Sequence, residues 1–158
     1  MAVVTLFDAQ VLSRQPPDDA SIAELARWAR LFSEQGWTPS YGPGDHGNLS
    51  CRKGEGLLVT ARETAKVRLT AEHFVEVVEE TGIPIQGRPV LSCRGLRLPS
   101  TDALMHMRIY KMRPEIQAIF HGHDPATLAA AQALNLPVTT VSARIASWEL
   151  IEDVLCLA

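Results

Sequence analysis

Between Pro99 and Asn135 the chain changes its hydrophobic period twice, and a strand held between two helices leaves few folds open. "PSTDALMHMRIYKMRP" carries Leu104, Met105, Ile109 and Met112 at helical spacing, with Ser100 or Thr101 placed to cap its start and Pro114 to end it. "EIQAIFHGHD" follows at once and alternates, with Ile116, Ala118 and Phe120 on one side and Gln117, Ile119, His121 and His123 on the other. "DPATLAAAQALN" then restarts a helix, with Asp124 at the cap, Pro125 in the first position and Asn135 at the stop. A strand preceded and followed by helices points to a layered α/β domain.

The remaining segments supply the rest of a mixed sheet and its cover. "SIAELARWARLFSEQG" has Ile22, Leu25, Ala26, Ala29 and Phe32 on one helical face, Ser21 and Glu24 at capping-box spacing, and Gly36 as the stop. "GNLSCRKGEGLLVT" predicts a hairpin turning at Lys53 to Gly56, with Leu57, Leu58 and Val59 as a buried run. "LTAEHFVEVVEETGIPIQG" predicts a helical turn from Thr70, a strand, a turn at Gly82 and a further strand, with helix and strand both open between Phe74 and Val78. A strand near Val138 to Val141 and a last helix from about Ser147 complete the order. At 158 residues and 46% hydrophobic composition, without repeats or an evident linker, the chain is expected to form one soluble domain over residues 1–158.

Charge narrows the partners. The formal net charge is -3 and the basic residues are scattered, so neither nucleic acid nor an anionic membrane surface is expected, and a small molecule is. No apolar stretch approaches a membrane span, and "MAVVTLFDAQ" lacks the basic start and apolar block of a secretory signal, which makes the cytoplasm the expected compartment. Cys51, Cys93 and Cys156 are widely spaced and odd in number, which predicts buried reduced thiols rather than a disulfide framework.

Three stretches carry candidate chemistry. His121 and His123, sharing one face of a strand, can chelate a divalent metal through neutral imidazoles, although the spacing equally suits hydrogen-bonding groups at a strand end. "GPGDHGNLS", residues 42–50, is glycine-rich beside a strand, where backbone N–H groups can cradle an anion or simply form a turn. "PSTD" sets Ser100, Thr101 and Asp102 at a helix start, a place for anions or for ordinary capping. His106 follows Asp102 by one helical turn, within reach of a hydrogen bond.

Taken in order, "GNLSCR", "LLVTARETAKVRLTAEH", "LPSTDALMHMRIY" and "RPEIQAIFHGHD" resemble the class II aldolase and adducin family over roughly residues 21–155. The resemblance implies a central, largely antiparallel sheet flanked by helices, and a homo-oligomer, a tetramer in the favoured form, with sites between neighbouring subunits. It implies zinc or a similar divalent metal on His121 and His123, an anion cradle that includes Gly47, Asn48, Ser100 and Thr101, and Asp102 in the acid/base position. "TARET" departs from the family's small hydroxyl and glycine loop, placing Arg62 where a guanidinium can grip a phosphate or carboxylate and Glu63 where it opposes one. The family's third histidine lies beyond the helix that here reads "SWELIEDVL", and the sequence ends at Ala158. A third ligand is therefore expected from Asp102, His46, a neighbouring chain or water. The implied functions are a metal-dependent aldolase-like lyase acting on a small hydroxy-carbonyl compound, a non-catalytic binding module of the adducin-head type, or epimerisation or dehydration by the same enediolate chemistry.

Overall fold

The computed structural model describes residues 5–85, 87–140, 142 and 147–158. Its elements are β1 (Asp8–Ser13), α1 (Ser21–Glu34), β2 (Asn48–Lys53), β3 (Gly56–Thr60), β4 (Phe74–Ile85), β5 (Arg88–Arg94), α2 (Ala103–Met112), β6 (Ala118–His121), α3 (Pro125–Ala130) and α4 (Trp148–Leu157), with 3₁₀ turns at Lys66–Arg68 and Ala71–His73. The strands form one six-stranded sheet in the order β1-β5-β4-β3-β2-β6. Only β1 and β5 run parallel; every other pair is antiparallel. The expected α/β domain, with a largely antiparallel sheet flanked by helices, is what forms. Among the described residues no helix is long and apolar enough to cross a membrane.

Alternation along the strands divides the core in two. Leu49, Leu58 and Phe74 face α1 and pack with its Leu25 and Ala29. Leu57, Val59, Val75, Val77, Leu91 and Cys93 point the other way, against Ala103, Leu104, Met107 and Tyr110 of α2 and Ile151 of α4. β3 is buried along its whole length, as a central strand covered on both faces must be. At the edge, Phe120 of β6 packs its ring on Trp28 and Phe32 of α1, with centroids 5.7 Å away in each case, which sends Ile119 and His121 to the α2 side.

Several local expectations are corrected by tertiary structure. Ser21 does not cap α1; its N–H donates to the Asp19 carboxylate at 2.9 Å, and Glu24 pairs with Arg27 and the Trp28 indole instead. Gly82 makes no turn: β4 runs through it, a register shift between Thr81 and Ile85 absorbs the Gly-Ile-Pro stretch, and the reversal comes at Gly87 with φ +81°. Phe74 to Val78 is strand. β1 is not visible in the sequence, because "DAQVLS" is short, half-buried and polar at alternate positions. Residues 138–140 form no strand; the Thr140 N–H and hydroxyl bind the Asp153 carboxylate instead, and Val141 lies outside the described residues. The helical segment from Asp124 is shorter than expected. Its Asp124 cap and Pro125 start hold, but after Ala130 the chain tightens into turns closed by Leu136 N–H on the Ala131 carbonyl, with Asn135 at φ +52°. Cys93 is buried, whereas Cys51 is half-buried and Cys156 exposed; all are free.

The apolar face of α2 also differs. Met112 is 46% exposed, while His106, Met107 and Tyr110 are buried. The reason is a polar seam between α2 and β2. Two strand residues advance about 6.8 Å, four helical residues about 6 Å, so Asn48, Ser50 and Arg52 stand opposite Asp102, His106 and Tyr110. Asn48 Nδ2 donates to Asp102 Oδ2 at 2.6 Å, and Ser50 Oγ lies 2.8 Å from both His106 Nδ1 and Tyr110 Oη. Arg52 closes the seam, donating to the Tyr110, Arg113 and Ile116 carbonyls at 2.8, 2.9 and 3.0 Å while lying over the Tyr110 ring. These carbonyls belong to the end of α2 or the turn after it, where no intrahelical donor remains. Arg52→Met is expected to lower stability by about 1–3 kcal/mol, read as a lower urea midpoint; an unchanged midpoint would contradict the capping role.

Candidate active site

The seam ends where β2 begins, beside the end of β6. Asn48 pairs with His121 across the two strands. Gly47, at φ +77°, lets the chain enter there: a Cβ on it would stand 2.4 Å from the His121 carbonyl oxygen, so no larger residue fits without displacing the strand that carries the histidine. His121 Nδ1 lies 3.0 Å from Asp102 Oδ2. Burial raises the Asp102 carboxyl, but the hydrogen bond and charge of His121, followed by His106 and the Asn48 amide, outweigh it and hold the group below the ordinary carboxylate range. Asp102 Oδ2 and the Asn48 amide nitrogen, the latter at 3.2 Å, both face His121 Nδ1, so the ring is oriented through that atom and Nε2 is the nitrogen left for another partner.

His123 stands just past the strand, its N–H donated to the Trp37 carbonyl at 2.7 Å. Its ring stacks on His121 with centroids 4.9 Å apart, and His46 approaches its other side at 5.0 Å. Burial, then the charges of His121 and His46, push the His123 imidazole below its usual value, favouring the neutral form.

One cavity of about 580 Å³ collects the residues singled out from the sequence: Gly47, Asn48, Arg62, Ser100, Thr101, Asp102, His121 and His123 all line it, with His46 and Lys66. Arg62 donates Nε to the Pro99 carbonyl at 3.2 Å, and no carboxylate pairs with its guanidinium among the described residues. Glu63, expected to oppose an anion here, is exposed at φ 55°. Ser100 is buried, with its N–H on the Thr60 carbonyl. Its Oγ accepts only weakly from Asp102 N–H, at 3.4 Å, and the cap position before α2 is held by Asp102 rather than by Ser100 or Thr101. The glycine loop offers less than its composition suggests: the Asp45 and His46 N–H groups are already donated to the Thr64 and Pro39 carbonyls.

Two parts of the site escape sequence reading. Lys66 is 2% exposed; its ammonium reaches the Thr64 and Asp45 carbonyls at 3.0 and 3.3 Å, while its N–H donates to the Asp45 carboxylate, and burial lowers its pKa to about 8 against the opposing charge of Asp45. It ties the loop before Gly47 to the Arg62 segment. The Ser50, His106 and Tyr110 cluster is the other. His106 makes no side-chain bond to Asp102, contrary to their spacing, because the carboxylate is taken by Asn48 and His121 while the imidazole turns to Ser50. The signal that could reveal this pairing is the alternation of β2 matched to the four-residue step of α2.

The donor set goes part of the way toward what a divalent metal needs. The Asp102-oriented His121 and the neutral His123 suit two imidazole ligands, the carboxylate behind one of them being the usual outer-shell partner. Among the described residues no group of three or more His, Cys, Asp or Glu side chains is arranged to hold a metal ion. The fit is thus to two ligands and not to a complete site.

A largely antiparallel sheet with helices on both faces and an acid and imidazole cavity at its edge places the fold among the class II aldolases: a solved L-fuculose 1-phosphate aldolase superposes with a TM-score of 0.60 at 22% identity, covering 86% of this chain and 66% of that one. The model of the Class II Aldolase and Adducin N-terminal domain matches residues 23–156, and the chain belongs to that family. It is 28% identical over 115 residues to a methylthioribulose-1-phosphate dehydratase of Pseudoalteromonas translucida, covering 73% of this chain and 48% of the relative. To an L-fuculose phosphate aldolase of Escherichia coli it is 30% identical over 104 residues, covering 66% and 43%. The chain spans about half the length of these curated relatives.

His106 gives the cavity wall a pH signature. Burial lowers its pKa from 6.5 to about 4, opposed by the charge of Asp102 and helped by that of His121. Between those values the unfolded chain binds the extra proton, so stability is intact above pH 6.5 and falls as the pH drops toward 4, by roughly 3 kcal/mol at most. Urea denaturation across that range is expected to show a shallower fall for His106→Gln than for the wild type. Equal slopes would mean that His106 does not resist protonation.

Proposed function

We propose that this chain carries the catalytic domain of a lyase acting on a small, anionic hydroxy-carbonyl compound of the sugar-phosphate type. The observation that carries the reading is the convergence of Asp102, His121, His123, Arg62, Ser100 and Thr101 on one cavity. The dehydratase and aldolase relatives support a substrate of this class. Both reaction types pass a proton to or from the neighbourhood of a carbonyl, so the shared requirement is a base beside the electrophile.

In this reading Asp102 is that base. Its Oδ2 is held by His121 and Asn48, which leaves Oδ1 for a substrate proton, and its depressed pKa keeps it ionised near neutrality. Arg62 and the hydroxyls of Ser100 and Thr101 receive the anionic group, the guanidinium being half-buried with no carboxylate paired to it among the described residues. Gly47 keeps the backbone close enough for this grouping. A divalent ion, zinc by the preference of imidazole donors, would supply Lewis-acid polarisation of the substrate oxygens when held by His121 and His123. Its third ligand is to be supplied by His46, by a neighbouring chain or by water, since Asp102 is engaged with His121.

The reading includes a homo-oligomer, a tetramer in its favoured form. Leu128 is 72% exposed and, with Leu136 and Val138, lines apolar surface that begins at the two histidines. Light scattering at micromolar concentration should show more than a monomer, and monomer alone would count against it. A non-catalytic module of the adducin-head type is the second reading, favoured by the incomplete donor set.

Zinc uptake separates the two. Titration calorimetry should show binding of modest affinity that His121→Ala combined with His123→Ala abolishes; equal uptake by both proteins would remove the chelate, and no uptake by either would favour the module. Asp102→Asn, assayed on a panel of ketose phosphates, is expected to keep substrate binding while turnover falls about a hundredfold. Unchanged turnover would take Asp102 out of the mechanism.

A further inference from the structure

Two buried polar atoms of residues that line this cavity have no partner among the described residues: Asn48 Oδ1 and His106 Nε2. Asn48 is 4% exposed and His106 0%. Leaving such atoms unpaired is unfavourable, so each calls for a partner from outside the described residues.

The seam fixes what each atom offers. Asn48 Nδ2 donates to Asp102 Oδ2 at 2.6 Å, and turning the amide over would set its oxygen against an ionised carboxylate. The atom that Asn48 leaves unpaired is therefore the acceptor Oδ1, which suits a hydroxyl donor, while its Nδ2 also faces His121 Nδ1 at 3.2 Å. For His106 the direction of the chain of bonds decides. Tyr110 Oη keeps its proton, because burial pushes the phenol up to about 12, and its other neighbour is the backbone N–H of Ile119, itself a donor. The phenol must then donate to Ser50 Oγ, and Ser50 donates to His106 Nδ1, each at 2.8 Å. The reverse direction would leave the phenolic proton with no acceptor. His106, kept neutral by burial, consequently carries its hydrogen on Nε2, where it is a donor. Asn48 and Ser50 share one face of β2, two residues apart, so the acceptor and the donor sit on adjacent rungs of the seam, next to Asp102.

We propose that His106 Nε2–H and Asn48 Oδ1 form a subsite for one neutral hydroxyl of the substrate, an alcohol group of a polyhydroxy carbonyl compound that accepts from the imidazole and donates to the amide. Only a group that does both satisfies the pair; a ketone or ether oxygen leaves Asn48 unpaired, and a deoxy carbon leaves both. Discrimination against analogues lacking the hydroxyl follows from those unpaired atoms. The subsite deepens the lyase reading and rests on the cavity being a substrate site. Ser50 is a positioning residue, acting through His106 without touching the substrate.

Long-range ¹H–¹⁵N NMR of histidine-labelled protein tests the proposal in two stages. Without ligand, His106 is expected as the Nε2–H tautomer; the Nδ1–H tautomer would overturn the subsite and leave the lyase reading standing. Titration with dihydroxyacetone should then shift the Nε2–H signal saturably, with at least tenfold weaker apparent affinity for acetone, which has no hydroxyl. A probe that moves His121 and His123 but not His106 overturns the subsite alone; one that moves none overturns the cavity as a substrate site too. Ser50→Ala should mix the His106 tautomers and weaken dihydroxyacetone about tenfold, and Ser50→Thr should restore both; a single Nε2–H tautomer and full affinity in Ser50→Ala would contradict the bond chain. A crystal soaked in dihydroxyacetone covers the case in which Ser50→Ala does not fold. A hydroxyl oxygen within hydrogen-bond distance of both atoms is expected, and an ordered water retained there beside the bound probe would make the site structural and overturn the subsite.

Discussion

Two repeats of nearly equal length, the two-residue step of a strand and the four-residue step of a helix, meet along β2 and α2, and the site depends on that match. It allows polar side chains to face one another in a region otherwise closed off from water. Ser50 Oγ bonds both His106 Nδ1 and Tyr110 Oη there, and Arg52 supplies the donors that the end of α2 lacks. Where the seam meets the edge strand, the same register sets Asn48 and Asp102 against His121. Each pairing in a buried polar row of this kind requires the two backbones to keep their register, so they have little freedom around it. That rigidity holds a carboxylate and an imidazole in fixed orientation at the rim of a cavity.

The positions of charge follow from the same arrangement. Asp102 remains ionised despite its burial because His121 and Asn48 converge on one of its oxygens. His106, a turn further along α2, is wholly enclosed, and burial keeps its imidazole neutral. Two titratable groups four residues apart on one helix thus take opposite forms near neutrality, one a charged carboxylate and one a neutral imidazole. Lys66 contributes from outside the seam, directing its ammonium to backbone carbonyls and so fixing the loop that leads into Gly47.

What the sequence made legible was mostly local. The hairpin of β2 and β3, the start of α3 at Asp124 and Pro125, and the alternation that separates His121 from Phe120 each depend on a few neighbouring residues. The composition of the cavity was legible too, since the residues picked from three separate motifs line one space. Whatever required a distant partner was not. β1 exists because β5 accepts it in parallel, Gly82 stays in a strand because a bulge absorbs it, and Thr140 goes to Asp153 rather than to a strand neighbour. The role of Asn48 belongs with these. Its place beside Gly47 suggested an anion cradle, but only the fold reveals that its side-chain N–H is turned to Asp102 and its oxygen is left over.

The proposed lyase chemistry would move a proton next to a carbonyl in this cavity. Solvent exchange tests that step without knowledge of the natural substrate. Zinc-supplemented protein incubated with dihydroxyacetone phosphate in D₂O is expected to place deuterium stereospecifically on the carbon beside the carbonyl, faster than buffer with zinc alone. Exchange no faster than in the protein-free control, with the phosphate shown to bind, would contradict the account.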